Sequence, residues 1–361
     1  MKLSIKTVVL KEMVSRAIKG ASQDKLIPLT SLMAIQLTDK HLTLITTDAS
    51  NYLYIMHDEV EGDDFYVVVQ AEQFAKLISK LTSENVTLTL DKGVLDVKAN
   101  GNYKIELPLD ENGELIKYPD PVAEAQLNGE VVNINLATIK TILNTNKASL
   151  AVTMEEPAYT NYYVGDKVVS SDFVKICGLN VKLFNEPMLI APETMNLLDV
   201  MTEEKIGVYV HEDVLEFITK DCIVYGHKAE GIDEYAIDAI NGLLDEEFSS
   251  SCEISKTEML AALDRIALFV GVTDKRAITF TFTENGIDIS SKQSNGVENI
   301  KYVESNNFKP YICQVDIIML TQQIKANSAE NVCLQYGNDK SLKFVDGNVT
   351  QVLALLNEDN E

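Results

Sequence analysis

Two kinds of segment recur along the chain, and this internal repetition strongly limits the folds that it can adopt. The first kind begins near Ala71, Ala191 and Val315, at offsets of 120 and 124 residues. The second kind begins near Thr7, Asn135 and Ser255, at offsets of 128 and 120 residues. Because the two kinds alternate, the chain is predicted to contain six half-units that pair into three similar domains.

The residue spacing within each copy predicts a helix followed by strands. In the first copy, apolar residues recur at helical spacing over Phe74–Leu81 and then alternate along Val86–Leu90. The segments of the second kind lead into alternating stretches that are interrupted by Gly, Asn and Asp, the residues that tight hairpin turns need. A strand meander with one apolar face needs a cover, and the preceding helix can supply it.

The predicted fold class is therefore α+β, with three repeated domains that each have two helices packed on one side of antiparallel sheets. The domains are expected at residues 1–125, 126–248 and 249–361. The Pro-, Gly- and acid-rich stretch Asp110–Gly129 and the acidic stretch Glu230–Ser251 are predicted to be linkers. The alternative is a generic α+β chain whose domains are unrelated.

The charge of the chain restricts its partners. It has 31 Lys and Arg residues against 55 Asp and Glu residues, which gives a net charge of −24. Such a chain cannot bind nucleic acid or anionic lipid with its whole surface, so any contact with DNA needs a local basic face.

Several protein classes are not expected. The longest apolar runs, such as Ile266–Val272, are shorter than the roughly 18 residues of a membrane span. Charges at Lys6, Lys11 and Glu12 interrupt the N-terminus where a secretory signal would be apolar. The five cysteines contain no CxxC pair, so neither a disulfide framework nor a zinc site is expected, and the cytoplasm is the predicted compartment.

The sequence predicts no enzyme, metal or cofactor. It contains no Gly-Lys dipeptide and hence no P-loop, no GxSxG, and no HExxH among its four histidines. A hydrolase that uses a pair of carboxyl groups stays open as an alternative, because acidic residues are abundant.

Four stretches resemble a known family. In the first, Lys25–Leu29 leads to a strand that ends at Thr47-Asp48. The other three are Val169–Ile176, the turn at Thr283–Ile289 and the apolar C-terminal strand at Gln351–Leu356. Together with the threefold repeat, they resemble the bacterial-type DNA polymerase sliding clamp, the beta subunit of the replicative polymerase.

The chain also departs from that family. Phe173-Val174-Lys175 stands where the family has Gly-His-Arg, and Ile232–Tyr235 replaces a Phe-Pro-Asp-Tyr signature. Pro192-Glu193 stands where the family has a pair of basic residues. The departures indicate a divergent member, of the kind that a phage or mobile element could carry.

The resemblance implies a half-ring whose helices face duplex DNA in a head-to-tail homodimer. The helical segments 7–21, 71–82, 135–148, 191–201, 255–271 and 315–327 hold ten basic and seven acidic residues, so they sum to +3 and the remainder to −27. The residues expected to face DNA are Lys11, Arg16, Lys19, Lys25, Lys76, Lys80, Lys140, Lys147, Lys256, Arg265 and Lys325.

The resemblance further implies a non-enzymatic processivity factor with a DNA polymerase and a clamp-loader ATPase as partners. Apolar peptides of these partners would dock between the second and third domains, in a pocket formed by Ser171, Phe173, Val174, Ile176, Leu342, Phe344, Val352, Leu353, Leu355 and Leu356. The ring interface is expected at Ile105, Leu107, Phe269 and Val270. The alternative is a repeat-built scaffold or binding protein that does not encircle DNA.

Overall fold

The computed structural model of the chain describes residues 1–22, 26–91, 93–118, 130–153, 155–271, 276–291 and 295–356. The chain divides into two compact units, Met1–Ile139 with Glu193–Lys228 and Lys140–Pro192 with Ala229–Glu361. Within the described ranges, no helix has both the length and the apolar character that a membrane span requires.

Seven α-helices lie within the described residues. They are α1 (Thr7–Ala17), α2 (Ala71–Lys80), α3 (Leu136–Thr145), α4 (Pro192–Leu198), α5 (Ile237–Asp245), α6 (Lys256–Ile266) and α7 (Ile317–Ala326). Six of them occupy the segments in which apolar spacing predicts helices. Helix α5 lies in the stretch that composition predicts to be a linker.

The strands are numbered in chain order. Those of the first 140 residues are β1 (Lys2–Lys6), β2 (Leu32–Thr38), β3 (His41–Thr47), β4 (Tyr52–His57), β5 (Glu61–Gly62), β6 (Phe65–Gln70), β7 (Asn85–Asp91), β8 (Val94–Lys98), β9 (Asn102–Glu106) and β10 (Glu130–Asn135). The next are β11 (Tyr162–Val164), β12 (Val168–Ser171), β13 (Lys175–Leu179), β14 (Met188–Ile190), β15 (Lys205–Val210), β16 (Val214–Ile218) and β17 (Cys222–Ala229). The last are β18 (Ser250–Ser255), β19 (Ala277–Thr283), β20 (Gly286–Ser291), β21 (Val297–Ile300), β22 (Tyr302–Asn306), β23 (Tyr311–Asp316), β24 (Asn331–Asn338), β25 (Ser341–Asp346) and β26 (Val349–Ala354).

The first unit contains two antiparallel sheets. One has the order β5-β1-β7-β8-β9. The other runs β6-β2-β3-β4 and continues from β4 into β17-β16-β15-β10. The continuation pairs β4, which ends at His57, with β17, which begins at Cys222, so a single sheet connects segments that are distant along the chain.

The second unit repeats this arrangement. One antiparallel sheet runs β14-β11-β12-β13 and continues from β13 into β26-β25-β24-β18-β22. A separate sheet has the order β21-β20-β19-β23. The predicted α+β class with antiparallel sheets is confirmed, whereas the division into three domains at residues 125 and 248 stays a prediction.

Strand order reveals the threefold repeat directly. The groups β1-β7-β8-β9, β10-β15-β16-β17 and β18-β24-β25-β26 have the same order, as do β6-β2-β3-β4, β14-β11-β12-β13 and β23-β19-β20-β21. At two junctions the last strand of one group pairs with the last strand of another, β4 with β17 and β13 with β26. Within the described residues, the equivalent strands β21 and β9 have no partner on their outer edges.

The helices cover the sheets with one face. Helix α2 buries Ala71, Phe74 and Ile78 and leaves Lys76 and Lys80 exposed. This separation follows from the 3.6-residue period, which gathers apolar residues three and four apart on one side.

Aromatic rings fill the core of the last repeat. The rings of Phe282 and Tyr336 stack with their centroids 3.9 Å apart, and Phe280 packs edge-on against Phe282 at 6.2 Å. All three side chains are buried. Burial of apolar surface is the main force that holds helix and sheet together here.

Two loops in equivalent places have the same hydrogen bonds. In residues 47–51, the carboxylate of Asp48 accepts from the amides of Ser50 and Asn51. In residues 171–175, the carboxylate of Asp172 accepts from the amides of Val174 and Lys175. The third counterpart falls at residues 292–294, outside the described residues.

The last residue of each loop reaches a helix of the following repeat. The side-chain oxygen of Asn51 accepts a hydrogen bond from Thr194 of α4 at 2.6 Å. The ammonium of Lys175 donates to Gln322 of α7 at 2.6 Å and lies 3.3 Å from the Asp172 carboxylate. It also donates to the Ala148 carbonyl at 2.5 Å. The side chain of Lys175 is only 8% exposed, so three oxygen partners compensate the burial of its charge.

We predict that Lys175→Met lowers the free energy of unfolding by about 1–3 kcal/mol, because it leaves the half-buried Asp172 carboxylate and two acceptors without the Lys175 ammonium. Urea denaturation followed by circular dichroism measures the loss. Lys182→Met is the control, since the Lys182–Asp166 pair is exposed at 53% and 87% and such pairs contribute less than about 1 kcal/mol. Equal losses for the two variants would contradict the assigned role of Lys175.

Candidate nucleic-acid and partner interfaces

Most of the basic side chains expected to face DNA are on the protein surface. Lys19, Lys76, Lys80, Lys140, Lys147, Arg265 and Lys325 are exposed, and Lys11, Arg16 and Lys256 are half-buried. Lys25 lies outside the described residues. Among the described residues the structure records no ion pair for Lys11, Lys19, Lys80, Lys140 or Lys325, so their charges are available to an anion.

Three of the expected basic residues are held by other groups. Lys76 pairs with Glu72 one helical turn away at 2.5 Å. Arg265 donates two hydrogen bonds to Glu298, at 2.6 and 2.9 Å. The ammonium of Lys256 binds backbone carbonyls at the end of α7, those of Lys325 and Asn327. The two carboxylates reduce the net positive charge that Lys76 and Arg265 offer to a phosphate, whereas the carbonyls occupy hydrogen-bond donors of Lys256.

Arg16 forms a salt bridge and a hydrogen bond within the first unit. Its guanidinium donates to the Asp221 carboxylate at 2.6 Å and to the Val200 carbonyl at 2.9 Å, and its side chain is 12% exposed. Burial alone would raise the pKa of the Asp221 carboxyl, but the Arg16 hydrogen bond and charge outweigh it and hold that pKa below its ordinary value. This geometry assigns Arg16 a structural contact in addition to its expected place on α1.

The expected pocket residues fall into two groups in the second unit. Ser171, Ile176, Leu342, Phe344, Val352 and Leu353 are buried. Phe173 is 59% exposed, and Val174, Leu355 and Leu356 are half-buried. Only the second group presents apolar surface that a partner could touch, and backbone hydrogen bonds from Ala354 to Val174 and from Leu356 to Gln314 fix its position.

An aromatic cluster adjoins this surface, and sequence reasoning did not include it. The ring of Phe173 lies 4.3 Å from that of Tyr159, which stacks on Tyr235 at 4.5 Å. Tyr163 is 5.3 Å beyond Tyr235. Burial raises the pKa of Tyr235 and of Tyr163, so both phenols stay protonated at neutral pH. Nothing in the spacing of these residues links them, because the contacts join residues that are about 14 apart for Phe173 and Tyr159 and more than 70 apart for Tyr235 and its partners.

The expected ring-interface residues also differ in exposure. Ile105 and Leu107 are buried at 4% and 6%, whereas Phe269 is 53% exposed and Val270 is half-buried. Leu268, next to Phe269, is 81% exposed. Gly296 allows the end of α6 to approach β21, since a Cβ there would lie 2.8 Å from the Phe269 ring.

Two further apolar side chains lie on the open strand edges. Tyr103 of β9 is 37% exposed and Val297 of β21 is 62% exposed. Sequence reasoning missed both residues, although a comparison of strand positions between the repeats could have found them.

Carboxylates converge on a cleft of about 980 Å³ in the first unit. It is lined by Asp58, Glu59, Glu61, Glu203 and Asp221 together with Lys6, Lys220 and His57. A carboxyl that acts as a general acid needs a raised pKa. Hydrogen bonds from His41 and Arg16 instead lower the pKa of Asp58 and Asp221. The described residues also contain no cluster of three or more potential metal ligands.

A family model of known proteins matches the first third of the chain. Residues 1–117 match the family model described as DNA polymerase III beta subunit, N-terminal domain. No curated protein matches the chain by sequence. The resemblance predicted from the sequence is confirmed, at the divergence that the altered motifs indicate.

Solved structures extend the likeness to nearly the whole chain. The DNA polymerase sliding clamp from Bacillus subtilis matches with a TM-score of 0.83 and 16% identity over 99% of both chains. The beta subunit from DNA polymerase of Streptococcus pyogenes gives 0.85 and 15%, over 99% of this chain and 100% of that one. DNA polymerase III, beta subunit, from Thermotoga maritima gives 0.81 and 16%, over 99% of both. At these identities the matches establish a shared fold.

We predict that Asp221→Asn lowers the melting temperature at pH 7 and that the difference from the unaltered chain shrinks below about pH 4. A carboxyl whose pKa is lowered by folding stabilises the protein above its unfolded pKa, and this stabilisation is lost as the pH falls through the folded value. Thermal melts at several pH values measure the effect. Asp58→Asn, at the exposed pair with His41, is the control and should change little. A difference that stays constant down to pH 2.5 would contradict the assignment.

Proposed function

We propose that the chain is a DNA sliding clamp, a non-enzymatic processivity factor of the DNA polymerase III beta subunit family that encircles duplex DNA as a head-to-tail homodimer. The proposal is carried by the outer edges of β9 and β21, which have no partner strand in the described part of the chain and are the topological counterparts of the strands paired at the two closed junctions.

Strand positions supply a register for the missing junction. Leu53 and Cys177 lie opposite Thr46 and Ser170, and Gly296 lies opposite Ser291 at the same position of the third copy. Packing identifies this position, because Gly20 behind α1 meets Leu53 and Phe269 behind α6 meets Gly296. Val224, Gln351 and Tyr103 lie at one ladder position in the other sheet type, opposite Phe217, Phe344 and Val97. The paired junctions join Leu53 to Val224 and Cys177 to Gln351. The same register joins Gly296 of one chain to Tyr103 of another, and therefore Val297 to Asn102.

Exposure supports this register. Leu53, Val224, Cys177 and Gln351 are each 0% exposed, because their junctions are closed. At the open edges, Tyr103 and Val297, the residue after Gly296, are instead exposed apolar side chains, which attract another chain. Leu268 and Phe269 extend the apolar surface beside Val297.

A ring follows from the symmetry of this contact. The edge at β21 and the edge at β9 are different surfaces, so the contact is heterologous and generates a closed ring if the rotation permits. Two chains with three repeats each would form six pseudo-equivalent junctions. Encirclement then replaces sequence-specific affinity as the means of staying on DNA.

The basic side chains of the helices would face the phosphates. Contacts between basic side chains and phosphates carry no sequence information, so the ring can slide. Because the chain has a net charge of −24, its affinity for free DNA should be weak and should fall as salt rises.

The apolar surface at Phe173, Val174, Leu355 and Leu356 would receive short peptides of a DNA polymerase and of a clamp-loader ATPase. These side chains are exposed or half-buried, and the loop below them is fixed by Asp172 and Lys175. We place this activity in the cytoplasm, where the free cysteines stay reduced.

A topology experiment tests the proposal. The protein is assembled on nicked circular plasmid, freed of unbound protein by gel filtration, and divided, and one half is linearised with a restriction enzyme. We expect retention on the circle and loss from the linear molecule, because only a ring that encircles DNA depends on closed ends. Equal loss from both forms would contradict encirclement and favour a scaffold.

The same experiment tests the basic surface. A Lys80→Glu, Lys140→Glu double variant should be retained on circular plasmid at a lower salt concentration than the unaltered chain, since two contacts with phosphates are reversed in sign. A Lys98→Glu, Lys340→Glu double variant, on β8 and in the turn before β25, is the matched control and should behave as the unaltered chain.

A further inference from the structure

Phe173 has a backbone conformation that is unusual for an aromatic residue. Its φ angle is +68°, in the left-handed region where a bulky side chain is strained. Its side chain is nevertheless 59% exposed, so the core does not require it.

The loop itself does not require a ring at this position either. The equivalent loop has Ala49 in the same place, with a φ of +81° and the same hydrogen bonds to its neighbours. The amide of Ala49 donates to Thr47 and that of Phe173 to Ser171, at 3.0 and 3.1 Å. The left-handed backbone therefore belongs to the loop, whereas the phenyl ring is particular to the second copy.

The ring covers another aromatic side chain. It contacts Tyr159 with a centroid distance of 4.3 Å, and Tyr159 is only 3% exposed. Tyr235 stacks on Tyr159 at 4.5 Å. Tyr159 thus forms an aromatic floor, and Phe173 is a cover that faces solvent.

The backbone around Phe173 is fixed, so the ring can leave only by rotation of its side chain. Asp172 accepts hydrogen bonds from the amides of Val174 and Lys175, and Val174 accepts one from Ala354. Rotamer changes of an exposed side chain are fast and need no movement of the loop.

We propose that Phe173 is an intramolecular plug, which occupies on Tyr159 the place that an apolar side chain of a partner peptide takes on binding. The inference rests on the proposed docking function and adds its regulation, since the plug must rotate away first. The occupant is a leucyl or aromatic side chain, because the floor is aromatic and the apolar side chains Ile232 and Ile237 pack against the same cluster.

The plug makes binding weaker by a calculable factor. An aromatic pair of this kind favours the closed state by a factor of roughly 2 to 13. The apparent dissociation constant rises as the open fraction falls. Removal of the ring should therefore tighten peptide binding by roughly 2- to 13-fold.

Fluorescence anisotropy of a labelled synthetic peptide, Gly-Ser-Leu-Phe-Leu-Ser-Gly, tests the plug on the full chain. Phe173→Ala should bind it roughly 2 to 13 times more tightly than the unaltered chain, and Phe173→Tyr, which keeps a ring, should bind it as the unaltered chain does. Unchanged or weaker binding by Phe173→Ala would overturn the inference, because the ring would then have no effect on binding or would itself contact the peptide. Absence of binding by every variant would also overturn it.

Failure of the inference can be separated from failure of the proposed function. Phe173→Ala should be retained on circular plasmid as the unaltered chain is, because the ring edges are unchanged. Loss of retention by the unaltered chain would count against the clamp itself.

A second measurement follows the ring directly. The chain contains no tryptophan, so Phe173→Trp introduces a single indole. We expect its emission to shift to longer wavelength and its quenching by acrylamide to increase when the peptide is added, since the indole leaves Tyr159. An emission spectrum that does not change at saturating peptide would contradict displacement.

Discussion

The structure depends on edge-to-edge pairing of antiparallel strands between repeats. Each junction leaves no free edge at that point, which removes a surface that would otherwise attract other chains. Because β4 pairs with β17 and β13 with β26 in the same register, β9 and β21 are, within the described residues, the equivalent junction strands that the chain does not pair with its own strands. The loops that end in Asn51 and Lys175 add polar contacts at equivalent places, so each repeat is tied to a helix of the next one.

Much of the fold could be predicted from hydrophobic periodicity, because a helix period of 3.6 and a strand period of 2 are local properties. Helix α5 could not, since its acidic and Gly-containing stretch has the composition of a linker. Ile240 and Leu244, four residues apart, nevertheless bury one face of it. The role of Lys175 was also hidden, because its partner Gln322 is 147 residues away.

The candidate sites were harder to predict than the fold. Alternation along a strand cannot tell a core face from a docking face, so buried residues such as Leu342 and Leu353 were grouped with the exposed Phe173. Similarly, a lysine or arginine on a helix predicts a surface charge, but Arg16 meets Asp221, 205 residues further along the chain, and that contact depends on the tertiary fold. For the helix lysines without such partners, contact with DNA remains a proposal.

A cross-linking measurement tests the central claim most directly. In a chain with Asn102→Cys and Val297→Cys, the two thiols lie opposite each other across the proposed junction, at the separation of about 4.5–5.5 Å between paired strands that a disulfide can span. Mild oxidation should convert the protein to a covalent dimer on a denaturing gel, and reduction should reverse it. The control chain carries Asn102→Cys with Ile312→Cys, on the exposed opposite edge strand of the same sheet, and should stay monomeric on the gel. No covalent dimer, or equal amounts in both chains, would contradict closure through β9 and β21.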